Sequence, residues 1–289
     1  MTTPLFLPGA PVGIFDSGVG GLSVLRHIQA QLPDEHLLYF ADTSFAPYGD
    51  KPEHVVIERV LGVAAFLVAR GVKALVVACN TATVAAVRVL RERYPHMPIV
   101  GVEPGLKPGA AATRNGTVGV LATERTLAGD KFLLLRDQIV EASGARFLLQ
   151  PCVGLADQIE FGESGAPALD AMLEGYIAPL LAQGADTLVL GCTHYPLVQA
   201  SIERVIERHT CARVALIDTG EAVARQLARL LEAEGLLRIP GGEAARLDGF
   251  TTASAAALSA AFAGLLGQDP PVNEVEPGAH LPGSSAPHN

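Results

Sequence analysis

Cysteine is scarce in this chain. Only Cys79, Cys152, Cys192 and Cys211 occur among 289 residues, and no two of them form a Cys-x-x-Cys pair. That spacing argues against a zinc ribbon and against a thioredoxin-like redox couple. Met1-Thr-Thr-Pro4 has neither the basic region nor the cleavage site of a secretion signal, so the expectation is the cytoplasm, where thiols stay reduced and no disulfide framework forms. Long basic runs are also missing. Thirty acidic against 21 basic side chains leave a formal net charge of -9, and a surface that tracks nucleic-acid phosphate is not expected. Nor does any apolar run approach the roughly 18 residues of a membrane span; the longest, around residues 61–69, is bounded by Arg59 and Arg70. A membrane partner is not expected either.

What is present is core-forming material. Hydrophobic side chains make up 49% of the chain and charged ones 18%, enough for one large domain or for two lobes with a cleft between them. Short β-branched runs alternate with longer helical patterns, the signature of βα units and parallel sheets, so the fold class is α/β. Strands are expected at residues 12–15, 37–41, 74–78, 99–102, 117–121, 146–149, 187–190, 214–217 and 247–251. Helices fall between them, for example at 55–69, 84–93 and 198–208. An alanine-rich segment at 253–266 should form a last helix, and residues 268–289, rich in Pro, Gly, Ser and His, read as a disordered tail.

Two segments superimpose. Gly71-Val-Lys-Ala-Leu-Val-Val-Ala-Cys79-Asn80-Thr81 matches Gly184-Ala-Asp-Thr-Leu-Val-Leu-Gly-Cys192-Thr193-His194 at a constant offset of 113 residues. Further on, Glu103-Pro-Gly105 aligns with Asp218-Thr-Gly220 at an offset of 115. Any two strand-turn-helix units share some likeness; a duplicated domain explains the matched cysteines as well, and places them at equivalent points of two pseudo-symmetric lobes.

Those points are chemically useful. In an open parallel sheet, ligands bind past the carboxyl ends of the strands, where Cys79 and Cys192 are expected. A nearby helix N-terminus stabilises an anion and can lower a thiol from about 8.5 toward neutrality. The neighbours Asn80, Thr81, Thr193 and His194 are polar, unlike those of an inert core cysteine. Cys211 and Cys152 fit the ordinary reading of a buried, unreactive thiol. Two thiols facing each other across a cleft can invert a stereocentre: one removes a proton from carbon and the other returns one to the opposite face. Metal binding by Cys79, Cys192 and His194 would lack an evident fourth ligand.

The first strand runs into Asp16-Ser17-Gly18-Val-Gly20-Gly21. This departs from the dinucleotide fingerprint, and the only acidic residue near the ribose-binding position is Asp42. The same glycines suit a tight loop whose backbone N–H groups approach a carboxylate. Asp16 could accept a proton from a thiol of its own lobe, or simply cap a helix.

At these residues the sequence resembles the glutamate racemases of the cofactor-independent aspartate/glutamate racemase superfamily. Five blocks carry the likeness: Gly13 to Leu25, Ala41-Asp42-Thr43 with Pro47-Tyr48-Gly49-Asp50-Lys51, Ala78 to Ala82, Gly101 to Gly105, and Gly191-Cys192-Thr193-His194-Tyr195-Pro196-Leu197. The resemblance implies two α/β lobes with the active site between them. It also implies interconversion of L- and D-glutamate without pyridoxal phosphate or metal, a supply of D-glutamate for peptidoglycan, and a homodimer. By motif, Cys79 and Cys192 would be the acid/base thiols, Asp16 would assist Cys79, and His194 with Glu160 would assist Cys192. Asp16, Ser17, Tyr48, Gly49, Asn80, Thr81, Thr193 and His194 would bind substrate. Val153 stands where the family commonly has proline. Residues 1–98 and 213–267 would form the first lobe and 99–212 the second, with hinges near Pro98 and Arg213. Aspartate racemase, a hydrolase built on Cys192 and His194, and a non-catalytic amino-acid-binding protein are the alternatives.

Overall fold

The computed structural model describes residues 6–162, 167–241 and 243–276. Among them, ten strands form two sheets, and every pairing is parallel. The strands are β1 (Val12–Asp16), β2 (Leu37–Ala41), β3 (Ala74–Val77), β4 (Ile99–Gly101), β5 (Thr117–Ala122), β6 (Arg146–Pro151), β7 (Thr187–Gly191), β8 (Ala215–Ile217), β9 (Leu247–Thr251) and β10 (Val272–Glu274). Near-continuous runs of Val, Ile and Leu suit strands covered on both faces, as parallel sheets are. Each sheet with its helices is one lobe.

The first sheet has the order β10-β9-β2-β1-β3-β4 and the second β6-β5-β7-β8. Without β9 and β10, both orders read second, first, third, fourth. The two lobes therefore repeat one four-strand plan, as the 113-residue offset requires. On one face of the first sheet, Val12, Ile14 and Tyr39 pack with Leu227, Leu231 and Phe262; on the other, Phe15 and Val77 meet Val60, Leu67 and Leu90. In the second sheet, Leu188 and Leu190 pack with Leu173, Ile177 and Ile202, while Val118 and Val120 pack with Leu106 and Phe132.

The lobe boundary differs from expectation. β4 pairs with β3 (Leu75↔Ile99) and stays in the first lobe, whereas β8 pairs with β7 (Thr187↔Ala215) and stays in the second. A short edge strand goes where its backbone finds partners, so the chain crosses after Gly101 and after Ile217, not at Pro98 and Arg213. The helix after β4, Leu106–Ala112, buries Leu106 in the second lobe's core. The helix after β8, Gly220–Ala233, buries Val223, Leu227 and Leu231 in the first lobe's core. Each such fully buried side chain contributes about 1.5–3 kcal/mol. The tail reading is also corrected in part: Val272–Glu274 is a strand on β9, because Val272 pairs with Gly249. Residues 277–289 lie outside the described residues.

Candidate active site

Every expected site residue except Asp16 lines one narrow cleft, whose cavity volume is only about 20 Å³, between the carboxyl ends of the two sheets. Asp16 lies beneath it, fully buried. From the first lobe, Cys79 caps the helix Asn80–Arg93, and its sulfur accepts the Ala82 N–H at 3.5 Å. The Cys79 thiol also points toward Ser17 Oγ, 3.9 Å away. From the second lobe, Cys192 follows β7, and its Sγ lies 3.6 Å from His194 Nδ1. The other ring nitrogen of His194 meets Glu160 Oε2 at 2.7 Å. Cys192 is not a helix cap; the 3₁₀ turn Tyr195–Val198 comes before the helix Gln199–His209.

Asp16 does not act only within its own lobe. One carboxylate oxygen accepts the Gly21 N–H at 2.7 Å and the other accepts the Thr193 hydroxyl, next to Cys192, at 3.5 Å. The Ser23 hydroxyl donates to the Thr193 carbonyl at 2.9 Å. Both bonds run from the first lobe to the second and hold the cleft closed.

Burial dominates the electrostatics. It pushes the Asp16 carboxyl up to about 6, against the lowering influence of His194. It also pushes the Cys79 thiol well above its ordinary value; the Asp16 charge adds to this and the Ala82 N–H opposes it. A thiol lowered toward neutrality by the helix N-terminus was expected at Cys79, and in this closed cleft desolvation outweighs the helix. For His194, burial works the other way, but bonds to Cys192 and Glu160 prevail and its pKa lies well above the usual imidazole range. Cys152 is buried as expected, its thiol pushed up to about 12 by desolvation. Cys211 is exposed, not buried, in the turn after Gln199–His209.

Asn80 is 3% exposed, and neither polar atom of its side chain has a hydrogen-bond partner among the described residues. An unpaired buried amide costs about 1–3 kcal/mol, so its place in the cleft wall marks a position for a polar ligand. Tyr48 is different. Its hydroxyl donates to Asp42 at 2.6 Å, and the same carboxylate accepts two bonds from Arg59 and one from the Thr252 hydroxyl. Asp42 is thus saturated and fully buried, which removes it as a ribose ligand.

Sequence reasoning missed Thr123 and Asp157, both in the cleft wall. Thr123 Oγ1 lies 3.0 Å from Thr81 Oγ1, so the two hydroxyls bridge the lobes. The register pairs Phe15 with Val77 and Leu121 with Leu190, which makes Thr123 the counterpart of Ser17. Extending the duplication to the first strand of each unit would have found it. Val153 is exposed at 57% and leaves the following helix, Leu155–Phe161, intact. Among the described residues, no group of three or more His, Cys, Asp and Glu side chains could hold a metal ion, and no helix is long and apolar enough to cross a membrane.

Duplicated α/β lobes with a cysteine past the third strand of each, facing one cleft, define a racemase architecture. A family model described as Asp/Glu/Hydantoin racemase matches residues 13–227, and the chain belongs to this family. Within it, the chain is 54% identical over 237 residues to the glutamate racemase of Ectopseudomonas mendocina, covering 82% of this chain and 88% of that one. It is 53% identical over 244 residues to that of Pseudomonas aeruginosa, covering 84% and 89%. Among solved structures, glutamate racemase isoform RacE1 from Bacillus anthracis superimposes with a TM-score of 0.81 at 30% identity, covering 92% of this chain and 97% of that one. Glutamate racemase from Francisella tularensis, in complex with D-glutamate, gives 0.81 at 26% identity, covering 95% and 100%.

Proposed function

We propose that the protein interconverts L- and D-glutamate, with Cys79 and Cys192 as acid and base on opposite faces of the substrate α-carbon. The observation that carries this reading is the pair of thiols at equivalent stations of two lobes, both lining one cleft. The relatives named glutamate racemase supply the substrate.

One sulfur, as thiolate, takes the α-proton, and the electron pair stays on the substrate as a carbanion. The opposite thiol gives its proton to the other face, leaving the product enantiomer and an inverted pair of sulfur states. Burial favours the protonated form of Cys79 in the free enzyme, the state that suits the enantiomer whose α-proton faces Cys192; for the other enantiomer the two sulfurs exchange roles. Asp16 assists on the Cys79 side and is also tied to Thr193, while His194, held by Glu160, serves Cys192. Ser17, Asn80, Thr81, Thr193 and His194 offer polar groups to the substrate's ammonium and carboxylates. Tyr48 and Gly49 offer backbone, since the Tyr48 hydroxyl is committed to Asp42. Thr123 joins this set. The same reading includes a homodimer in the cytoplasm and a supply of D-glutamate for peptidoglycan.

The test is circular dichroism of D-glutamate incubated with the enzyme and no added cofactor. The signal should decay to zero; a constant signal would sink the reading.

A further inference from the structure

The loop at Gly18, Val19 and Gly20 reaches from the first lobe onto the acid/base pair of the second. Its glycines supply room rather than backbone freedom, because neither Gly18 nor Gly20 is among the glycines with positive φ. A Cβ on Gly18 would stand 2.3 and 2.4 Å from the two Glu160 carboxylate oxygens, and one on Gly20 would stand 2.4 Å from His194 Nδ1. Between them, the Val19 N–H donates to Glu160 Oε2 at 2.8 Å, the same oxygen that meets His194 Nε2 at 2.7 Å. One atom is thus shared by a backbone amide of the first lobe and an imidazole of the second. The carboxylate that the glycine-rich loop binds is the protein's own.

Resting on the assignment of His194 and Glu160 to the Cys192 side, we propose that residues 18–20 are a positioning element for that pair. The Val19 N–H fixes the Glu160 carboxylate against His194 only while the lobes are closed. Opening the cleft withdraws the amide, lets water solvate the carboxylate and uncouples His194. The Cys192 side is therefore assembled by the closure that also expels water from the substrate. His194 is faced by Cys192 beyond its own strand, by Glu160 and Asp157 from Leu155–Phe161, and by Asp16 from β1. Of these, Glu160 is the one bonded to Val19.

Gly18→Ala in the full-length enzyme tests this. The added methyl meets the far end of a flexible side chain, so the fold survives and the carboxylate moves. Two readouts follow: the His194 titration by NMR, and primary isotope effects with [2-²H]-L- and [2-²H]-D-glutamate. The His194 midpoint should fall toward 6.5. Because enantiomers have an equilibrium constant of one, kcat/KM must fall equally in both directions, roughly a hundredfold, the low end of what a positioned acid/base group supplies. The asymmetry should appear in the isotope effect, which rises for one labelled enantiomer and not the other. An unchanged His194 titration, or equal isotope effects beside a lower rate, would overturn the proposal. The double variant Gly18→Ala/Glu160→Asp, with its carboxylate drawn back from the methyl, should be no slower than Glu160→Asp alone; multiplied losses would place the loop's action elsewhere. Should Gly18→Ala not fold, replacing the Gly18–Val19 amide by an ester, which removes the Val19 N–H and leaves Glu160 and its bond to His194 in place, decides by the same titration: a lower His194 midpoint supports the proposal and an unchanged one overturns it. The titration needs no turnover, so it tests the loop separately from the assigned reaction.

Discussion

Cys79 and Cys192 stand just past the third strand of two units that share one strand order, and they line the same cleft from opposite lobes. If each is an obligatory proton carrier, Cys79→Ser and Cys192→Ser must each lower racemisation by at least the 10²–10⁴-fold that a positioned acid/base group typically contributes, roughly stated. Polarimetry on either enantiomer measures this. Turnover near that of the unaltered enzyme in either variant would remove the two-thiol mechanism.

Asp16 gives a pH dependence with a definite sign. Its folded pKa of about 6 exceeds the ordinary 3.8, so folding favours its protonated form. The stability this confers is complete below about pH 3.8 and is lost as pH rises through about 6. For this fully buried group the change is on the order of 3 kcal/mol. Urea unfolding should show the unaltered protein losing stability relative to Asp16→Asn between pH 4 and pH 8. Parallel curves would refute the raised value. Turnover, if it needs the carboxylate, should rise through the same interval and lose that limb in Asp16→Asn.

Asn80 carries an amide that glutamate can satisfy. A hydrogen bond to a charged partner is worth about 1.5–3 kcal/mol, so Asn80→Ala should lower kcat/KM by roughly 10–150-fold. It should also shrink the rise in Tm that glutamate produces in the unaltered enzyme. An undiminished rise would show that Asn80 does not meet the ligand.

Asp42 and Arg59 form a buried ion pair, 2.6 Å at its shortest contact, beneath Tyr48. Removing one partner of such a pair costs about 3–5 kcal/mol, because the other charge stays buried. Asp42→Asn should lose stability of that order in chemical denaturation. A loss under 1 kcal/mol would mean that the pair is already relaxed by solvent.

Much of this was legible in the chain. β2 and β9 fall at the expected residues; the five-residue apolar run Leu37-Leu-Tyr-Phe-Ala41 suits a strand buried on both faces. The cysteines were found through their polar neighbours and the constant offset. The lobe boundary was not, although the alignment of Glu103-Pro-Gly105 with Asp218-Thr-Gly220 already marked both crossings; edge pairing is a long-range property that no local pattern states. The Cys79 shift was misjudged for a related reason. A helix N-terminus can be read in a sequence, but desolvation depends on how tightly another lobe closes over the thiol. Gly18 and Gly20 read as a tight loop that brings backbone N–H groups to a carboxylate, and only the position of Glu160, 141 residues from Val19, shows whose carboxylate it is and what the missing side chains make room for.

The two crossing helices give the molecule an uncommon kind of wholeness. Leu106–Ala112 follows a strand of the first lobe yet completes the core of the second, and Gly220–Ala233 follows a strand of the second yet completes the core of the first. Severed between its repeats, the chain would yield halves that each hold out an oily arm with no seat of its own. Two copies of such a half could satisfy one another only by trading arms. In the intact protein that trade happens inside a single molecule, so neither lobe can drift without tugging the arm that roofs its twin.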